Sequence, residues 1–382
     1  VVERVSGEIH SLDQLRDVED EWRRLAERRG NAFLTPEWFR CWFEHYGEAA
    51  APLVPSLRGA DGRLTGLMPL ALERSGRPRV CRIAGANLGD RFHPICEAGD
   101  EPVVAAVAGE ALASGPERWS VLALDHVDVE RPWIAALAGA TGARLHTRER
   151  PAGGLPQIDL SRHRGWDEYL ATRSKNTRQQ LRRFPRRAAK EHQVGLRRTE
   201  RPEELLGDVE AFFELHQRRQ AAHGGSSLGT ERARAFHAEF AAACLERGWL
   251  RLWFLEFDGR PVASLYGWRL GERYSYYNSG FDPDESRLSP GLVLLSAVIE
   301  SAMEEGAAVF DFLLGEEGYK LRFAERTESV ASVTLARALP HPATVVSAAE
   351  HATRRVGRAL PASARRRLGG LSRRSLLPGW RR

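Results

Sequence analysis

One pattern constrains this chain more than any other: a set of short strands, then a helix, then a further strand, written twice. In the first half the strands read Leu53–Leu57 and Leu64–Leu72, joined at Asp61-Gly62, with an extended piece at Val80–Ile83. A helix over Pro102–Leu112 and a buried strand at Ser120–Leu124 complete the set. The second half has a stronger signal, with a three-strand meander at Leu250–Phe257, Pro261–Leu270 and Arg273–Phe281. Its turns fall at Asp258-Gly259 and Gly271, residues that accept the backbone a tight turn demands. A helix over Gly291–Glu305 and a strand at Ala308–Leu313 follow. The same order twice implies two similar α/β units side by side.

The remaining segments fit around these sets. Residues 11–47 read as two amphipathic helices, residues 131–138 as a helix and Arg144–His146 as extended chain. Trp166–His192 is helical with a break expected at Pro185, Pro202–His223 and Thr230–Gly248 are helices, and Thr230 suits an N-cap. Ser329–Ala336 alternates like a strand. The loop-like Pro151-Ala-Gly-Gly-Leu-Pro156 marks the expected junction between domains 1–155 and 156–340, with a tail at 341–382.

A chain of 382 residues with 42% hydrophobic and 8% aromatic residues has material for two packed domains, which excludes wholesale disorder, collagen and a disulfide miniprotein. Cys41, Cys81, Cys96 and Cys244 show no metal-ligand spacing and read as reduced, mostly buried thiols, so no metal is expected. Val1–Leu15 lacks a basic segment followed by an apolar one, and no apolar run reaches membrane-spanning length. A soluble cytoplasmic protein is expected. The formal charge of +5 is uneven: residues 351–382 hold ten arginines and no acid, which leaves residues 1–350 at −5. The pI therefore supports no nucleic-acid role for the folded part. For the tail, a disordered segment, an anionic membrane surface at the inner face of the membrane and nucleic acid are the competing readings.

Local chemistry concentrates at Arg287-Leu288-Ser289-Pro290-Gly291-Leu292, which opens the helix. Ser289 suits an N-cap and Pro290 the first helical position. Gly291 lets a group approach the backbone, and the N–H groups of Gly291, Leu292 and Val293 at a helix start suit a phosphate, with Arg287 adding charge. A capped core helix is the alternative.

Four motifs in order carry a resemblance: Gly259-Arg-Pro-Val-Ala263, Tyr276-Tyr-Asn-Ser-Gly-Phe-Asp282, Ser289-Pro-Gly291, and Phe310-Asp-Phe-Leu-Leu-Gly315 followed by Tyr319-Lys320 and Phe323. Over residues 160–335 the chain resembles the GNAT-type acyltransferases of the CelD/BcsL group, related to Fem-type aminoacyltransferases. Residues 1–150 resemble the degenerate first copy of that fold. The resemblance implies two tandem GNAT-like domains, each a mixed twisted sheet flanked by helices. It also implies acetyl-CoA or another acyl-CoA as donor at the Ser289 helix start, and an acceptor between the domains. The usual glycine-richer diphosphate loop is only partly present. The first copy's corresponding helix opens Asp100-Glu-Pro102, where two carboxylates would repel a diphosphate, so only the second copy is expected to bind donor.

Acyl transfer needs a proton acceptor for the nucleophile and stabilisation of the oxyanion. Asp311, Tyr319, Lys320 and His216 are the candidates: a base or its orienter, a donor to the leaving thiolate, a partner for phosphate or carbonyl, and a base of suitable pKa. Each also has an ordinary structural reading. Asp90 and His93, in Asp90-Arg-Phe-His93, together with Tyr277, are expected on the acceptor side. Arg173–Arg198 carries ten basic residues and one acid, Glu191. Nucleic-acid contact, a phosphate-lined groove and a solvated face compete there, with Arg178 and Arg182 as the residues to test. The expected function is acyl-CoA-dependent N- or O-acyl transfer to a sugar, polyketide or cell-envelope precursor. The alternatives are aminoacyl transfer from tRNA and a silent binding protein of the same fold.

Overall fold

The computed structural model describes residues 5–75, 78–115, 119–128, 132–221 and 227–337. The expectations about the arginine-rich tail and the boundary at 340 fall outside these residues. Strand β1 (Val5–Ile9) leads to helices α1 (Leu12–Leu15), α2 (Glu19–Arg29) and α3 (Pro36–Tyr46). Strands β2 (Ala50–Arg58), β3 (Leu64–Leu67), β4 (Leu70–Glu73), β5 (Val80–Ile83) and β6 (Ile95–Cys96) follow. Then come α4 (Glu101–Ser114), β7 (Val121–Val127), α5 (Trp133–Ala140) and the long β8 (Leu145–Asp159). The second half runs α6 (Trp166–Thr172), α7 (Lys175–Glu191), β9 (Val194–Arg198), α8 (Pro202–Ala221) and α9 (Glu231–Glu246). The meander β10 (Leu250–Phe257), β11 (Arg260–Leu270) and β12 (Arg273–Phe281) precedes α10 (Pro290–Glu304), β13 (Val309–Asp311), α11 (Gly318–Phe323) and β14 (Arg326–Arg337).

All strands among the described residues belong to one 14-stranded mixed sheet, ordered β6-β3-β2-β4-β5-β7-β14-β8-β13-β12-β11-β10-β9, with β1 paired to β2. The repetition expected from the sequence is present. β4 pairs antiparallel with β5, and β5 runs parallel to β7 across α4. Correspondingly, β11 pairs antiparallel with β12, and β12 runs parallel to β13 across α10. The last strand of each half is exchanged: β8 pairs with β13, and β14 pairs with β7. β8 and β14 also pair with each other from Leu145↔Arg337 to Gln157↔Arg326. Each half is thus completed by a strand from the other.

Three sequence expectations need correction. Pro151–Pro156 is strand, not loop. Its prolines and glycines are absorbed by a bulge, where Gly153 opposes Val330 and Pro151 opposes Ala331, and Gly153 takes φ +143°. The expected strand Leu64–Leu72 splits into β3 and β4 around Met68-Pro69, because Pro69 has no N–H for the ladder. The helical stretch 166–192 breaks at Arg173-Ser174 rather than at Pro185: the Ser174 side chain accepts from Thr177 N at 3.2 Å and starts α7 afresh. Thr230 caps α9 as expected, accepting from Ala233 N, and the four cysteines are free and buried.

The two faces of the sheet hold separate cores. On β11, Ala263 and Leu265 pack with α10, while Tyr266, Trp268 and Leu270 pack with α3, α8 and α9. Trp38 of the first half meets Phe236 and Phe240 of the second edge-on, with ring centroids 4.9 Å apart in both pairs. Burial of these rings from both halves makes the association hydrophobic rather than a loose docking.

Candidate active site

The parallel pair β12–β13 is held at only three positions, Arg273↔Val309, Tyr274↔Phe310 and Ser275↔Asp311. β12 continues to Phe281, whereas the chain after Asp311 turns away, so the sheet splits at the carboxyl ends of two parallel strands. Such a split leaves backbone groups facing a crevice, where open α/β sheets take ligands. β12 carries a bulge here: Gly267 opposes Tyr276 and Tyr266 opposes Asn278, leaving Tyr277 as the extra residue. Tyr276 packs into one core and Tyr277 into the other, as the alternation of a strand requires.

The wall opposite β12 is the turn Asp311–Gly315. Leu313 has φ +56°, a left-handed conformation that costs a non-glycine residue about 1–2 kcal/mol. The turn is held from several sides. Asp311 Oδ1 accepts from Leu313 N at 2.9 Å. Asp90 Oδ2 accepts from Leu314 N at 3.2 Å. Lys320 Nζ donates to the Leu314 carbonyl at 2.9 Å and pairs with Glu317 at 3.0 Å. Backbone strain fixed this firmly beside a crevice fits a functional constraint.

Asp311 is fully buried, and its Oδ2 takes Arg273 at 2.8 Å and Arg91 at 3.3 Å. Both its oxygens are engaged, so it orients the turn and two arginines. Asp90 differs: it is half-buried, and burial raises its carboxyl above the ordinary carboxylate range against the pull of His126 and Lys320.

Asp90 reaches this turn because the first half's own split is filled. There β5 and β7 also pair at three positions, Val80↔Val121 to Arg82↔Ala123. The following loop folds back between the strands: Phe92 N donates to the His126 carbonyl at 3.0 Å, Phe92 bridges Val127, and His126 Nδ1 donates to the Gly89 carbonyl. The loop thereby plugs the first crevice and carries Asp90 and Arg91 to the second. At the α4 start Glu101 is buried, accepting from Gly99 N at 2.7 Å and pairing with Arg29 at 2.9 Å. The Glu101 carboxylate thereby holds the loop that leads into α4.

Across the mouth of the second split, the Tyr276 and Tyr319 hydroxyls lie 3.0 Å apart. Tyr276 also meets Ser279 Oγ at 2.6 Å. Arg219 donates to Ser279 Oγ at 2.6 Å and lies over the Phe281 and Tyr319 rings. Burial, then the neighbouring Tyr276, pushes Tyr319 far up, so it remains a hydroxyl donor. His216 is buried under β12, with Nδ1 donating to the Ser279 carbonyl at 3.0 Å. Burial lowers its pKa. Gly280 permits this approach, since a Cβ there would lie 2.3 Å from His216 N.

The helix start beside Phe281 is sparser in donors than expected. Ser289 is left-handed, with φ 52°, and makes no side-chain cap. The N–H groups of Leu292 and Val293 both donate to the Ser289 carbonyl, at 3.0 and 3.1 Å. Pro290 has no N–H, so Gly291 offers the open backbone donor of the first turn. Leu288 is buried in the core, and Arg287 pairs with Glu191 of α7. Arg178 turns back to cap α6, donating to the Ala171 and Arg173 carbonyls. Arg182 is exposed, and His93 hydrogen-bonds the Pro94 carbonyl of its own loop. Tyr277 donates to the Leu88 carbonyl at 2.9 Å, tying β12 to the plug loop.

The structure brings Asp90 and Lys320 to the Asp311–Gly315 turn, Tyr319 to Tyr276 and Gly291 beside Phe281, with Asp311 and His216 buried behind them and Tyr277 packed in the other core. Arg91, Arg219 and Arg273 were not singled out from the sequence. Arg219 lies one helical turn after His216 and Arg91 adjoins Asp90, so the signal was adjacency to residues already chosen.

Residues 175–321 match the family model described as an acetyltransferase (GNAT) domain. A search of the curated proteins finds no match. Among solved structures the chain is similar to FemX, with TM-score 0.61 and 12% identity, covering 87% of this chain and 97% of that one. L-PGS from Bacillus licheniformis gives TM-score 0.52 and 14% identity over 89% and 96% of the two chains. The fold is thus the mixed α/β arrangement with a long continuous sheet seen in these structures. No comparison reaches the level of the CelD/BcsL group.

Proposed function

We propose that this chain is an acyltransferase that moves an acyl group from a CoA-type thioester to an amine or hydroxyl. The observation that carries this is the split between β12 and β13, bounded by the start of α10 and by a raised carboxyl delivered from the other half. The donor's pantetheine arm would lie along the unpaired edge of β12, with phosphate toward Gly291 N–H. The acceptor would enter from the side of the plug loop. Asp90 takes the proton of the acceptor as its N or O attacks the thioester carbonyl. The carbon–sulfur bond then breaks, the Tyr319 hydroxyl, with Arg219 over its ring, donates a hydrogen bond to the departing thiolate, and the proton taken up by Asp90 passes through solvent to the sulfur, which leaves as a thiol. Lys320 keeps the turn fixed and places a positive charge near Asp90. A sugar, polyketide or cell-envelope precursor is the acceptor class suggested by the CelD/BcsL resemblance. Domains 1–155 and 156–340 remain the proposed units, joined by the strand exchange.

Calorimetric titration with acetyl-CoA tests the donor site. Gly291 faces the Phe281 ring at ordinary contact distance, so a side chain there is tolerated in space. Gly291→Glu sets a carboxylate against the donor phosphate and should weaken binding about tenfold or more. Equal affinity in the two proteins would remove the phosphate from this helix start.

A further inference from the structure

We infer that the thioester donor reaches this site on a small acidic carrier protein, bearing its acyl group on a phosphopantetheine arm and docking on the exposed basic face of α7. This rests on the donor site proposed above and adds the partner that presents the donor.

Two independent observations converge. First, the helix start offers little to a nucleotide diphosphate: one open backbone N–H at Gly291, no Ser289 cap, and an Arg287 already paired with Glu191. That suits the single phosphodiester of a carrier-bound arm better than the three phosphates of CoA. Second, α7 adjoins this helix start, through Arg287–Glu191, and packs its Leu181 and Ala188 into the core with α10. Its opposite face is basic. Lys175, Arg182, Arg183, Arg186 and Lys190 are exposed and make no ion pair among the described residues, while Arg187 pairs with Glu191. Arg182, Arg186 and Lys190 follow one another at four-residue spacing, rising about 6 Å each along one side of the helix.

The stripe spans most of a helix about 25 Å long, more than the nucleotide end of CoA can cover. Its cations match carboxylates at the same spacing on a facing acidic helix. A bilayer fits less well, because none of the large exposed apolar residues lies on α7 to insert into it. Single-stranded nucleic acid fits less well too, because Phe184, the one aromatic of α7, packs against the core instead of facing a base. The transfer balances as before: the carrier's thioester bond breaks, the acyl–acceptor bond forms, and the arm leaves as a free thiol.

Binding measurements on the full chain test this with four probes: an acetyl-loaded phosphopantetheinyl carrier protein of acidic pI, the same carrier without its arm, acetyl-CoA and a duplex RNA. The loaded carrier should bind more tightly than the armless form, and its affinity should fall with added salt. In R182E/R186E its affinity should drop about tenfold or more, with acetyl-CoA affinity unchanged within about twofold. Lys190→Glu alone should give a smaller loss in the same direction, with unaltered thermal unfolding in both variants. Unchanged carrier binding in the charge-reversed protein overturns the inference, as does tighter binding of RNA than of carrier. Wild-type protein that binds acetyl-CoA but no carrier overturns the inference alone. Protein that binds neither thioester overturns the donor site with it.

Discussion

Asp311→Ala should cost the fold about 3–5 kcal/mol, the range for removing one partner from a buried ion pair. Asp311 is the shared anion for Arg273 and Arg91 and has no exposed surface. Without it two guanidinium groups face each other in the interior, with Glu328 on Arg91 as the remaining counter-charge among the described residues. The Leu313 N–H also loses its acceptor in a left-handed turn that needs holding. Asp311→Asn keeps an oxygen for Leu313 but not the charge, so it should fall between wild type and Ala. Urea unfolding of the three proteins measures the series. A cost under about 1 kcal/mol for Ala would mean that water or rearranged side chains replace the carboxylate.

Asp90→Asn should act on the reaction and spare the fold. Loss of a general base lowers kcat/KM by about 10²–10⁴-fold. The amide retains an oxygen for Leu314 N, so the turn stays in place. In wild type the rate should fall as pH drops through the raised pKa of Asp90, giving an acid limb above the ordinary carboxylate range. The stability effect has the opposite sign. Between the ordinary and the raised pKa the folded state binds more protons than the unfolded one, so rising pH removes stability. Asn carries no such penalty, and the variant should be as stable as wild type or more so at neutral pH. A variant that is inactive and also unfolds easily would assign Asp90 a structural role. A variant with wild-type kcat/KM would remove it from the chemistry.

The repeated strand–helix–strand order was legible because it rests on local signals: Asp-Gly turns, β-branched and aromatic alternation, and a proline at a helix start. The strand exchange was not, because pairing β8 with β13 and β14 with β7 is a long-range choice that periodicity does not encode. Pro151–Pro156 misled for the same reason. Its composition is that of a loop, and only neighbours on both sides make it a strand. At the site, Tyr319, Lys320 and Asp90 were found by motif, but their roles depended on what lay opposite. Asp311 reads as a candidate base until two arginines close on it, and His216 until its ring is placed beneath Ser279. Asp90 reads as a loop residue until the loop is seen to plug one crevice and line the other.

The most direct test of the central claim is amide hydrogen exchange of the full chain with and without acetyl-CoA. Slowed exchange at residues 277–293 and 312–320, with none at 80–84 or 99–104, is the predicted result: donor held in the second split and absent from the plugged first one. Protection confined to the first half, or no change anywhere at saturating acetyl-CoA, would contradict it.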